Sequence, residues 1–497
     1  MNRRSFLKSV GVGAGAAAVG TGINREVISA LTAPSAVAQP VDPVWHVLNR
    51  VTNGPRPGQV DAVKKMGVQA YLEQQLAPDK IDDSASEARL SEFTTIVLTE
   101  TELLDLGLKN PGPVVVALDS ATVSRAIFSE RQLFEVMVNF WSEHFSIWQE
   151  KETDKYFKTP DDRNVVRKYA LGKFRDILGA SAKSPAMLIY LDNAQSEKAH
   201  PNENYGREVM ELHTVTIGNY TETDVKEVAR CFTGWSIQTK KEGNAGQFIY
   251  RAKMHDNGAK TVIGHAIPAG GGQQDGETVL DILAAHPATA EHIASKLCRR
   301  FIADDPPQNV VTAAKQAYLT SGGDIPTILR VIFAAPEFLN AQPKYKRPWE
   351  FVISTFRALD VQIDKLQPAV LAVLNNMGQL PFNYVTPDGY TDYAQLWEGN
   401  LLLRWNLALN TLYGKTAGVK VDLNALVKSQ NVKVEPTAVI QYFAQHLYGR
   451  PMTQDESTAL LAFLNRGGAP DLTTDAGRQR INDTIAMMLS APAFQYR

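Results

Sequence analysis

Apolar residues recur at helical spacing through most of this chain, and that pattern alone restricts it to a fold of packed helices. The pattern is strongest between Ser129 and Gly234, where 132–148, 164–178, 204–215 and 223–232 read as amphipathic helices. Similar runs cover 277–303, 310–339, 349–359, 395–412, 436–448, 454–464 and 477–489. Thr221 and Asp224 have the spacing of a capping box ahead of the 223–232 helix, after a Gly218-Asn219 turn. One stretch breaks the pattern: 247–250 and 261–263 read as short strands around Asp256-Asn257-Gly258, followed by the flexible Gly270-Gly271-Gly272 loop. The chain has 497 residues, more than one apolar core usually serves. The expected fold is therefore mainly α, a large multi-helix domain or two helical lobes, with a small β-hairpin excursion near 247–263. Along the chain this divides into an N-terminal helical module and linker at 39–100, a central helical core at 101–240, the hairpin and Gly-rich loop at 241–275, and a C-terminal helical region at 276–497.

Residues 1–38 read differently. Arg3 and Arg4 in Asn2-Arg3-Arg4-Ser5-Phe6-Leu7-Lys8 precede a Gly/Ala-rich run at 9–23 that is too short and too weakly apolar to anchor in a bilayer. This is the pattern of a twin-arginine signal peptide, which carries folded proteins out of the cytoplasm. Ala36-Val37-Ala38 offers a cleavage site, so the mature chain is expected to begin near Gln39, in the periplasm or secreted. Gly11-Val12-Gly13-Ala14-Gly15-Ala16 satisfies a dinucleotide-binding search, yet no strand precedes it and it falls within the signal.

The formal charge is -2 with acids and bases interspersed, which argues against a nucleic-acid partner. Beyond the signal no apolar run reaches membrane-spanning length. Cys231 and Cys298 are the only cysteines, so a disulfide framework and a Cys-rich zinc knuckle are both excluded, while one bridge between them stays open. HExxH, GxSxG and the phosphate-binding P-loop are absent.

The candidate chemistry lies on two helices. On 132–148, Glu135, Asn139, Ser142, Glu143 and Ser146 share a face that is expected to be wet. His144 projects to the opposite side among Met137, Phe140, Trp141 and Trp148, and a buried imidazole needs a partner. The richest polar cluster runs from Asn202 to Thr214. There Glu203, Arg207 and Glu211 form an i,i+4 ladder, while Glu208 sits at the edge of the apolar stripe. Glu208 and Glu211 together could hold a hard divalent metal ion or split their pKa values into an acid and a base. His255 and Asp256 supply an imidazole and a carboxylate from a loop, where a plain turn accounts for them equally well.

Taken together, several blocks resemble the bacterial exported family catalogued as domain of unknown function 1800. They include His46-Val47-Leu48-Asn49-Arg50, Phe140-Trp141-Ser142-Glu143-His144-Phe145, Tyr190-Leu191-Asp192-Asn193, Pro201-Asn202-Glu203-Asn204-Tyr205-Gly206-Arg207-Glu208 and Ala285-His286-Pro287-Ala288-Thr289. The resemblance implies a mainly helical, exported protein and assigns no activity. It also implies a partner, a co-exported protein similar to the alkaline phosphatase fold. Where many members carry Leu-Phe-Thr-Leu-Gly, this chain has Leu212-His213-Thr214-Val215-Thr216, which weakens the case for an essential His213.

Two functional readings follow. The first is a metal-assisted or carboxylate/His-dependent hydrolase of the cell envelope. In it His144 and Glu208 serve as ligands or as acid and base, Arg207 neutralises a substrate anion, and Glu211 orients the site; Glu203, His255 and Asp256 contact substrate. Hydrolysis of carbohydrate by paired acids is one version. The second is a non-enzymatic periplasmic scaffold that binds a co-exported partner or an envelope polymer through Tyr390, Tyr393 and Trp397.

Overall fold

The computed structural model describes residues 29–32, 40–109, 112–363, 366, 368–433, 435–471 and 473–497. Arg3, Arg4, the 9–23 run and Ala36-Val37-Ala38 lie outside the described residues. The fold is mainly α, with three two-stranded antiparallel sheets among the described residues. No helix in them is long and apolar enough to cross a membrane.

Local chemistry sets where the helices break. The Thr221 capping box forms as its spacing predicts: the Thr221 hydroxyl accepts from the Asp224 amide at 3.2 Å and the Asp224 carboxylate accepts from the Thr221 amide at 2.8 Å. The run expected at 277–303 divides into Gln274–Ala285 and Pro287–Phe301. Pro287 lacks the amide hydrogen that would continue the first helix and suits the first position of the second, and the His286 ring accepts the Ala288 amide at 3.1 Å. The run expected at 164–178 contains a π-helical turn, Asp162–Arg167, before Phe174–Ala182.

The β excursion is present, with a different pairing from the one expected. Phe248–Tyr250 pairs with Trp235–Ile237, and Lys260–Val262 pairs with His265–Ile267. The tight turn is Ile263-Gly264, both at positive φ (46° and 75°), the geometry that two-residue hairpins require. Asp256-Asn257-Gly258 forms a side-chain turn instead, with the Gly258 amide donating to Asp256 at 2.8 Å.

Two apolar cores organise the helices, and each draws on segments far apart in sequence. The first is built from Val47–Leu76 and Leu133–Phe338 and contains Trp141, Phe174 and Trp235. The second joins Leu90–Ile127 to Trp349–Phe494. Cys231 and Cys298 are both free thiols buried in the first core. A buried ionic cluster lies where the cores meet. Glu350 takes Arg300 and Arg347 (2.9 Å), with Arg497 at 3.6 Å, while Asp392 lies 3.4 Å from Arg347 and 3.8 Å from Arg300. Burial pushes the Glu350 carboxyl up, but Arg347, Arg497 and Arg300 together outweigh it and hold it well below the usual carboxylate range.

Candidate functional site

Leu133, Met137, Phe140, Trp141 and His144 follow the i, i+3, i+4, i+7 rule along Gln132–His144 and face the first core. The helix ends at Phe145, which leaves helical geometry at φ -104°, ψ 54°. The opposite face, expected to be wet, is interior. Glu135 forms a bidentate pair with Arg167, Asn139 accepts from Arg347 at 3.2 Å, and Glu143 accepts the Tyr390 amide at 2.9 Å. Periodicity identifies a polar face, but it carries no information about a second core that brings its own polar groups to cover that face.

His144 is buried as expected, 2 % exposed, with the rings of Trp141 at 5.3 Å and Phe145 at 4.6 Å. Its partner is a lysine. Lys296 Nζ donates to Nδ1 at 3.0 Å, which leaves the proton on Nε2, and Nε2 donates to the His213 carbonyl at 3.1 Å. Burial, reinforced by the Lys296 charge, holds the His144 imidazole far below its ordinary pKa, so the ring is neutral. Two further imidazoles surround it, His292 at 5.8 Å and His213 at 6.0 Å between ring centres. Burial lowers their pKa values to about 4 and about 3, and His213 Nε2 is buried without a hydrogen-bond partner.

Lys296 comes from Pro287–Phe301, where Ala290, Ile293, Ala294, Leu297 and Phe301 are buried in the first core. His292, Ser295, Lys296 and Arg299 make a polar stripe at i, i+3, i+4 and i+7. Burial lowers Lys296 to about 8, with Asp392 and Glu143 opposing the drop. Lys296 and Arg299 wall two cavities. One of about 180 Å³ is shared with Glu143, Arg300, Arg347 and the 388–393 loop; the other, about 560 Å³, is lined by Thr216, Asn219, His286 and His292. Glu143 also borders a void of about 20 Å³ beside Ser142, whose hydroxyl has no partner, and that is room for one water. Burial raises the Glu143 carboxyl to about 7, against the pull of Arg347 and the Tyr390 amide. The 388–393 loop closes this arrangement. Gly389, at φ 71°, lies so near the Glu143 carbonyl that a Cβ there would fall 2.2 Å from that oxygen.

The Asn202–Thr214 cluster reaches the site through its main chain. Asn202 caps Glu203–Glu211, and at the far end the Glu208 carbonyl receives the His213 amide at 3.2 Å, bringing the His213 carbonyl to His144. The Glu208 side chain has no hydrogen-bond or ion-pair partner among the described residues, and both ring nitrogens of His144 are taken by Lys296 and the His213 carbonyl. Burial raises its pKa, with Glu211 and Asp388 adding to the rise. Glu211 accepts the Tyr220 hydroxyl at 2.6 Å, Arg207 is paired at the surface with Glu222 at 2.7 Å, and Glu203 is exposed. His255 is enclosed elsewhere, bonded to the Thr233 carbonyl at 2.8 Å and to Asp275 at 3.1 Å. Asp256 pairs with Arg230 at 2.8 Å, and neither it nor His255 lines the cavities beside His144. No group of three or more His, Cys, Asp or Glu side chains converges as a metal-binding set among the described residues.

Sequence reasoning missed Glu143, Lys296, Arg299, Arg347 and Asp392. The His292, Lys296, Arg299 spacing was legible, but a basic stripe opposite an apolar one ordinarily means a solvated helix face. No curated protein and no solved structure matches the chain. Over residues 46–496 it matches the family described as Protein of unknown function (DUF1800), and it belongs to that family.

Proposed function

We propose that this chain is an exported hydrolase of the cell envelope in which Glu143 is the general acid/base and Lys296 the neighbouring cation. The observation that carries the reading is Glu143 itself, a carboxyl raised to about 7 that borders both a one-water void and a cation-walled cavity. A base with that pKa is half ionised near neutral pH, where proton transfer to and from a bound water is most effective. His144 supports the reading as a positioning residue. With both ring nitrogens engaged, it holds the Lys296 ammonium at the cavity wall. Asp388 lines the smaller cavity, whereas Glu208 lines neither cavity and has no part in this scheme.

The test is a panel of chromogenic carboxylic-ester, phosphate-ester and glycoside substrates assayed with the mature protein and with Glu143→Gln and Lys296→Met. Glu143→Gln is expected to lower kcat by about 10²-fold or more, as loss of a general acid/base does. A folded Glu143→Gln variant with unchanged kcat overturns the assignment.

A scaffold reading has one observation in its favour. Val385, Tyr393, Leu396 and Leu402 are exposed within one segment, Tyr393 at 42 % and Leu396 at 72 %. Tyr393 can therefore contact a co-exported alkaline-phosphatase-like partner, whereas Trp397 is buried.

A further inference from the structure

The charges around the smaller cavity do not cancel locally. Arg300 and Arg347 share Glu350 and Asp392. Lys296 and Arg299 have no carboxylate within ion-pair distance among the described residues. Lys296 is bonded to neutral His144, while Arg299 gives its Nε to the Asp304 carbonyl at 2.9 Å and rests over the Tyr393 ring at 4.7 Å. Behind them Arg300 is 1 % exposed, and its Nη2 is buried without a hydrogen-bond partner. The carboxylates facing this wall are Glu143, Asp388 and Asp392 in the smaller cavity and Glu291 in the larger; Glu143 is half protonated near neutral pH, Asp392 is committed to its arginines, and Glu291 is paired with Lys315.

We infer that Lys296, Arg299 and Arg300 form a subsite for the phosphate group of a phosphorylated sugar or polyol. This rests on the hydrolase reading above and names its substrate class. Lys296, Arg299 and Arg300 stand at i, i+3 and i+4 on one helix and all line the smaller cavity, so an ammonium and two guanidinium groups can share the oxygens of one tetrahedral oxyanion; a planar carboxylate would satisfy a single guanidinium fork. Lys296 and Arg299 also wall the larger cavity, so a phosphate there has about 560 Å³ beside it for the rest of the ligand. That space is lined by Thr216, Asn219, His286 and Ser295, hydrogen-bonding groups of the kind that hold hydroxyls, and by Glu291 and Lys315, which pair with each other at 2.7 Å.

The experiment is calorimetric titration of the full mature protein with inorganic phosphate, glycerol phosphate and acetate, paired with acetylation of Lys296 followed by mass spectrometry. Glycerol phosphate is expected to bind more tightly than phosphate, acetate to show no binding, and both phosphates to protect Lys296 from acetylation. Arg299→Gln and Lys296→Met are each expected to weaken phosphate binding by about tenfold or more, the worth of one charge-assisted hydrogen bond. Acetate binding as tightly as phosphate, or phosphate binding untouched by both substitutions, overturns the inference. The two proposals fail separately. Glu143-dependent hydrolysis of neutral esters without phosphate binding sinks the subsite alone, and phosphate binding that needs Arg299, in a protein whose turnover is indifferent to Glu143→Gln, sinks the acid/base assignment alone.

Discussion

Replacing Glu143 by Gln should make the protein more stable at alkaline pH while removing the proposed acid/base. Burial holds this carboxyl at about 7 against an ordinary 4.5. Between those values the folded state binds more protons than the unfolded state, so stability falls as pH rises from 4.5 to 7 and the whole loss is present above 7. At 1.36 kcal/mol per unit, the loss is ~3 kcal/mol at pH 8 and ~0.4 kcal/mol at pH 4.5. Gln keeps an oxygen to accept the Tyr390 amide and cannot ionise. The variant therefore gains ~3 kcal/mol at pH 8 and almost nothing at pH 4.5. For a cooperative unit of about 250 residues the unfolding entropy is about 0.5 kcal/mol/K, so the gain appears as a rise of about 6 °C in Tm at pH 8. Scanning calorimetry of both proteins at both pH values makes the comparison. An equal change at the two pH values, or none at pH 8, would refute the claim that burial keeps Glu143 half protonated near neutrality, and the acid/base role would go with it.

Glu350→Ala should cost about 3–5 kcal/mol, because it strands Arg300, Arg347 and Arg497 without their shared carboxylate; thermal unfolding reads the loss. Gly389→Ala places a methyl against the Glu143 carbonyl at a positive φ, so the 388–393 loop should undock at a cost of at least about 2 kcal/mol, seen as faster limited proteolysis near Tyr390. Replacing Arg3 and Arg4 together by Lys should leave the precursor in the cytoplasm, whereas the unsubstituted chain should yield a processed N-terminus at Gln39; fractionation and N-terminal sequencing decide.

Much of the fold was legible because its causes are local. Thr221 and Asp224 lie three residues apart and cap a helix wherever that helix packs; the break at Pro287 is equally local, although the periodicity ran through it. His144 was legible as buried because its neighbours one turn away are Met137, Phe140 and Trp141. Glu143, its chain neighbour, was misread, since the groups that cover it come from Arg347 and Tyr390, more than two hundred residues away. The hairpin shows the same limit on a small scale: Ile263-Gly264 makes the tight turn and the more turn-like Asp256-Asn257-Gly258 does not, because Trp235–Ile237 competes for Phe248–Tyr250.

The order of apolar and polar residues determined by itself that this chain would be helical, where several helices begin, and that His144 would be buried. Which polar groups gather into the candidate site was decided only when two cores, each assembled from distant segments, closed on one another. That closure half-buries Glu143 and Lys296 and moves their proton affinities toward neutrality. Desolvation depends on everything that surrounds a group in three dimensions, and a linear pattern records only what precedes and follows it.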